Sequence, residues 1–193
     1  MTGAPMIFIR HGETDWNRQA RLQGQQDIAL NALGRRQAAR NGRILPMLLG
    51  DTQWRFIASP LGRATDTMTI ALGAAGMTGR AFETDDRLKE ISFGLWEGLT
   101  LAEVNEKDAD GGQKRQADKW RFVPPDGESY ADLSKRIDGW LADQDRPAVV
   151  AGHGGVLRVL RHRLGGVAAA QAPLLAVPQD RVTVFARGCV IAI

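Results

Sequence analysis

A chain of 193 residues, 44% hydrophobic and 24% charged, has ordinary globular composition and length enough to bury a sizeable core as a single domain over 1–193. No apolar run approaches the roughly 18 residues of a membrane helix, no secretory leader is visible at the start, and the lone Cys189 excludes both an internal disulfide and a multi-cysteine zinc site. The formal charge of +3 comes mainly from arginines scattered along the chain, without a recognisable nucleic-acid module, so neither nucleic acid nor membrane is an expected partner and the expected location is cytoplasmic.

The elements follow in chain order. Pro5 to Ile9 reads as a buried strand that breaks into Arg10, His11 and Gly12. Asn31 stands as an N-cap before ALGRRQAARNGRILPMLL, in which Pro46 is expected to kink or shorten the helix. WRFIAS reads as a second strand, and Ser59-Pro60 as the N-cap and first position of the helix LGRATDTMTIALGAAG. RAFET suggests a short strand, and Thr100 with Glu103 a capping box for LAEVNEK. The polar, turn-rich stretch 105–129 reads as surface or lid material of mixed structure. From Ser129 a helix is predicted with Tyr130, Leu133, Ile137, Trp140 and Leu141 as its core face. PAVVAG is a strand and HGGVLRVLRHRLGG a helix, on which Arg158, Arg161, His162 and Arg163 read as solvated. The tail LLAVPQDRVTVFARGCVIAI suggests two or three strands, Cys189 being a small apolar residue of the last. Helices alternating with strands predict an α/β fold: a three-layer α/β/α sandwich around a mainly parallel sheet.

Three predicted strand ends deliver polar groups in the same way: Arg10 and His11, then Ser59 and Arg63, then His153. Open α/β sheets bind ligands beyond the carboxyl ends of their strands, so adjacent strands would collect two arginines and two histidines in one pocket. Guanidinium forks suit a phosphoryl group, and Arg63 in a first helical turn adds free backbone N–H groups. Spacing alone leaves the bland alternative open, in which each is an exposed arginine or a packed histidine.

The stretch IRHGETDWN resembles the signature of the histidine phosphatase superfamily, the phosphoglycerate-mutase-like proteins. RLQGQQDIALNALGRRQA, SPLGRATDT, LKEISFGLWEG and AGHGGVLR resemble that family's further motifs, in order, over nearly the whole chain. The resemblance implies a phosphoglycerate-mutase-like fold and makes His11 the nucleophile that takes the phosphoryl group as a neutral imidazole, giving a phosphohistidine. It places Arg10, Arg63 and His153 on the phosphoryl oxygens, adds Asn17 as a neutral donor, and lets Gly12 and Gly154 bring the backbone close, the Gly154 N–H donating. His153 is expected to be protonated when phosphate is bound. Glu90 matches the family's acid, its pKa raised by the bound phosphate, with Glu13 read as supporting structure and Glu97 as a packing or loop residue. Trp16, Arg21 and Gln23 are candidates for the substrate entrance.

The implied protein is a metal-independent phosphomonoesterase, a hydrolase of histidine acid phosphatase type, with no cofactor and a small phosphorylated substrate. A homodimer is left open. The alternatives are a phosphoglycerate mutase and a silent phosphate-ligand-binding protein. The family's mutases carry a long insertion before the second histidine and an asparagine after its glycine; here FVPPDGES runs almost directly into a helix and HGG takes the second place, which resembles the phosphatase branch. An α-ribazole phosphate is one candidate ester that nothing in the sequence singles out.

Overall fold

The computed structural model describes residues 4–186 and 188–193. The residues before these, where any leader would begin, and Arg187 in the predicted terminal strands lie outside them. The short apolar runs become β1 (Met6–Arg10), β2 (Arg55–Ala58), β3 (Glu83–Thr84), β4 (Ala148–Gly152), β5 (Val182–Ala186) and β6 (Cys189–Ala192) of one six-stranded sheet. Its order is β3-β2-β4-β1-β5-β6; β3, β2, β4 and β1 run parallel, and β5 and β6 close the far side antiparallel. Every residue of β4 is buried, as a central parallel strand requires.

Helices α1 (Asp15–Arg18), α2 (Ala32–Leu49), α3 (Gly62–Ala74), α4 (Leu101–Lys107), α5 (Ala109–Ala117), α6 (Tyr130–Ala142) and α7 (Gly154–Gly165) complete the chain. Alternation along the strands splits the core in two. Met6, Phe8, Ile57 and Val150 pack against Leu133, Ile137 and Trp140 of α6 and Val156 and Leu160 of α7. Ile7, Ile9, Phe56 and Val149 pack against Leu45 of α2 and Met68 and Leu72 of α3. Burial of each such side chain contributes about 1.5–3 kcal/mol before entropy is charged against it. The result is the predicted α/β sandwich with helices on both faces of the sheet.

Three expectations need correction. Pro46 does not shorten α2, which continues to Leu49; Leu45 and Leu49, both buried in the core, hold the last turn despite the lost N–H. The third helix begins at Gly62, with Leu61 as an N-cap that has no polar side chain to bond; the Ser59 hydroxyl accepts from Leu61 N–H at 3.4 Å and lies 2.7 Å from His153 Nε2. The RAFET strand is reduced to Glu83–Thr84. Cys189 lies in the last strand, as expected, and is exposed there because β6 is the sheet's edge. The stretch 105–129 has the mixed structure expected: it carries the end of α4 and all of α5, and Trp120 packs against the core.

Candidate active site

Register brings the predicted strand ends together. Arg10 is paired with Gly152 and Ala58 with Ala151, so His11, Ser59 and His153 leave the sheet side by side, with β4 in the middle. A Cβ on Gly12 would fall 2.1 Å from the carbonyl oxygen of Gly34, so only glycine lets the end of β1 lie against the first turn of α2. This contact sets the height at which His11 stands above the sheet.

A cavity of about 150 Å³ opens there, lined by Arg10, His11, Asn17, Arg63, Glu90 and Gly154 among others. His11 is buried, and its Nδ1 lies 2.8 Å from the Gly12 carbonyl oxygen. A carbonyl only accepts, so the proton sits on Nδ1 and the lone pair is on Nε2. Burial pushes the His11 pKa well below 6.5, and the nearby charges of Arg10 and Arg63 push it the same way. The imidazole is therefore neutral and nucleophilic.

His153 packs against it at 5.2 Å between ring centres. Its Nε2 meets Ser59 Oγ, and its Nδ1 is buried without a partner among the described residues. Burial, then Arg63, His11 and Arg10, drive its pKa down as well. The expected protonation of His153 thus depends on the negative charge of phosphate itself, since the surrounding protein opposes it.

The two arginines are anchored but not saturated. Arg10 Nη1 donates to the Val177 carbonyl at 2.5 Å, and Arg63 donates to the Gln26 and Gly24 carbonyls at 2.6 and 2.7 Å. In both, the buried Nε lacks a partner among the described residues. Unmet buried donors are costly, and an anion's oxygens would satisfy them. Burial lowers Arg10 to about 10, which leaves it charged at neutral pH. A Cβ at Gly154 would press on Val177 Cγ2 at 3.3 Å and make only ordinary contact with Arg10 Nε at 3.4 Å.

Asn17 closes a capping box with Thr14 at the start of α1. Its Oδ1 accepts from Thr14 N–H and from Gln179 Nε2 at 2.8 Å, which leaves the amide N–H₂ as its donor. Glu90 accepts from the Gly155 N–H with both oxygens, at 3.0 and 3.1 Å, in the first turn of α7. Glu13 accepts from Asn31, and Glu97 organises a loop by accepting from Gln25 N–H and Phe93 N–H.

The entrance residues divide. Arg21 and Gln23 line the cavity, but Arg21 is paired with Glu103 at 2.9 Å and Gln23 accepts from Thr14 Oγ1. Trp16 lies over Gly98 and does not line the cavity.

Two polar side chains of the lining escaped the sequence reading. Arg158 is half-buried rather than fully solvated and faces the cavity, with Nε on the Leu175 carbonyl at 3.0 Å. Its spacing from Gly154, one helical turn, was the available signal. Tyr130 belongs to the core and also lines the cavity; the core periodicity of α6 concealed that second role.

A strand-end histidine, buried and neutral, between two incompletely satisfied arginines defines a nucleophile-bearing anion cleft on an α/β sheet. The chain belongs to the histidine phosphatase superfamily (branch 1), whose family model matches residues 6–188. It is 34% identical over 186 residues to a glucosyl-3-phosphoglycerate phosphatase of Mycolicibacterium vanbaalenii, covering 88% of this chain and 78% of that one. A Salmonella arizonae protein named "Probable phosphoglycerate mutase GpmB" is 35% identical over 174 residues, covering 85% of this chain and 76% of that one. The solved α-ribazole phosphatase of Shigella flexneri superposes with a TM-score of 0.80 at 25% identity, covering 98% of this chain and 94% of that one.

Proposed function

We propose that the chain is a phosphomonoesterase that passes the phosphoryl group through a phosphohistidine on His11, without a metal, and acts on a small phosphorylated metabolite in the cytoplasm. The observation that carries this reading is the His11 ring, its Nδ1–H fixed by Gly12, set beside the unpartnered Nε donors of Arg10 and Arg63. His11 Nε2 attacks phosphorus as the ester P–O bond breaks, and the Glu90 carboxylic acid gives its proton to the departing oxygen. The Glu90 carboxylate then takes a proton from water; the water oxygen attacks phosphorus, the P–N bond breaks, and phosphate leaves. Arg10, Arg63, Asn17 and His153 hold the equatorial oxygens and spread the charge, which is the work a divalent cation does in other phosphoryl transfers. The acid-phosphatase-type label is supported by the depressed pKa of His11, which keeps the nucleophile neutral into the acid range.

The test is phosphate release from an aryl phosphate and a panel of sugar and nucleotide monoesters in excess EDTA, with His11→Ala alongside. EDTA-resistant hydrolysis abolished in the variant supports the reading. Isomerisation of 3-phosphoglycerate without comparable hydrolysis would make the chain a mutase, and neither activity would favour the binding protein.

A further inference from the structure

The segment 177–180, which leads into β5, passes the phosphate cavity and holds three of its residues. The Val177 carbonyl accepts from Arg10 Nη1, and Gln179 Nε2 donates to the His11 carbonyl at 3.2 Å and to Asn17 Oδ1 at 2.8 Å. The segment is itself tied to α2: the buried Asn41 donates through Nδ2 to the Gln179 carbonyl at 2.9 Å, and Arg40 donates to the Asp180 carbonyl. Gln179 is thus anchored at its own backbone and directs both protons of its amide to the phosphate site.

Two independent constraints fix which way the amides point. A carbonyl only accepts, so the Gln179 atom facing His11 must be the N–H₂. A backbone N–H only donates, so the Asn17 atom facing Thr14 N–H at 3.2 Å must be Oδ1. The two assignments meet as donor and acceptor at 2.8 Å. Turning the Asn17 amide over would set its N–H₂ against two donors, Thr14 N–H and Gln179 N–H, and would offer an oxygen to the phosphoryl group. With Oδ1 engaged twice, the N–H₂ is what Asn17 presents to the cavity it lines. Without Gln179 a single donor would back this orientation, because Thr14 Oγ1 gives its one proton to Gln23 Oε1 at 2.8 Å in preference to Asn17 Oδ1 at 3.3 Å.

We propose that Gln179 is a positioning residue for phosphate binding, which holds Asn17 Oδ1 so that the Asn17 N–H₂ faces the phosphoryl oxygens. This rests on the phosphatase reading, in which Asn17 is a neutral donor to that group, and names what aims it. Gln179 does not line the cavity, so it acts through Asn17, while its bond to the His11 carbonyl steadies its own amide. An asparagine needs such a device and an arginine does not. A guanidinium donates from every nitrogen, whereas an amide presents a donor or an acceptor according to a half-turn about its last bond.

The test is a double-mutant cycle read by calorimetric titration with orthovanadate, whose oxygens stand in for those of the phosphoryl group. Wild type is compared with Asn17→Ala, with Gln179→Met, which keeps the length and removes both donors, and with the double variant. The temperature is one at which thermal melts show all of them folded. Asn17→Ala should weaken binding about tenfold or more, the loss of a hydrogen bond to a charged group. Gln179→Met should weaken it about five- to tenfold while Asn17 is present, and by less than about twofold once Asn17 is alanine. A side chain that only supports the fold, or that works through the His11 carbonyl, would weaken both backgrounds equally, and that result would overturn the proposal. Vanadate affinity unchanged in Gln179→Met, or unchanged in Asn17→Ala, would overturn it too, as would a wild type that does not bind vanadate. Hydrolysis of p-nitrophenyl phosphate by wild type, and its loss in His11→Ala, report the phosphatase reading separately. Coupled affinities without turnover would sink that reading and leave the positioning role standing.

Discussion

Replacing Gly155 with alanine should displace the candidate acid while hardly touching stability. The new Cβ would lie 2.3 Å from Glu90 Oε1 and 3.1 Å from Ile91 Cγ2. Ordinary contact begins at 3.4 Å, so the carboxylate must retreat about 1.1 Å (3.4 − 2.3). It is the far end of a flexible side chain and moves cheaply. The cost is a weakened hydrogen bond, about 0.5–1.5 kcal/mol, and alanine in a helix returns up to about 1 kcal/mol relative to glycine. The melting temperature should therefore change little. Catalysis should suffer more, because a displacement of about 1 Å costs about 100-fold and general acid catalysis is worth about 100- to 10,000-fold. The assay compares kcat/KM on an alkyl phosphate, whose alkoxide needs a proton to leave, with p-nitrophenyl phosphate, whose phenolate does not. The expected loss is about 100-fold on the first and under about tenfold on the second, with Glu90→Gln showing the same split. Equal loss on both esters, or none on the alkyl ester, would refute Glu90 as the proton donor placed by Gly155.

Other predictions concern charge. His11 and His153 both titrate below 6.5 in the folded chain, so the unfolded chain binds more protons in that window. Their contribution to stability is complete above about pH 6.5 and falls as the pH drops, by up to about 1.4 kcal/mol per pH unit for each imidazole; urea melts at about pH 7.5 and pH 5 should show it, and a slope unchanged in His11→Asn would refute it. Arg136 donates to the Arg87 and Lys89 carbonyls at 2.6 and 2.9 Å and pairs with Glu128 at 2.7 Å, tying the segment before Glu90 to α6. Arg136→Ala should cost about 2–3 kcal/mol in urea unfolding, and Arg136→Lys should restore little, because a lysine cannot reproduce the fork.

Local chemistry wrote much of this protein within a few residues. The apolar runs of β1 and β4, the capping box of Thr100 and Glu103, and the core periodicity of α6 were legible because neighbours in sequence decide them. So were Arg10, His11, Arg63 and His153, since each follows a strand or opens a helix. Tertiary structure decided what contacts at long separation decide. The Ser59 hydroxyl, read as a helix cap, is engaged by His153 from 94 positions away. Arg158 and Tyr130 reach the cavity only because α6 and α7 pack together, and Trp16 misses it because its ring covers Gly98. Glu90 was recognisable as an acid, but its seat on the Gly155 N–H follows from the approach of a loop to a helix start 65 residues later. Helix and strand signals act over one or two turns of chain, whereas a cavity is defined by whichever side chains the packing of the sheet and its layers brings to the same edge.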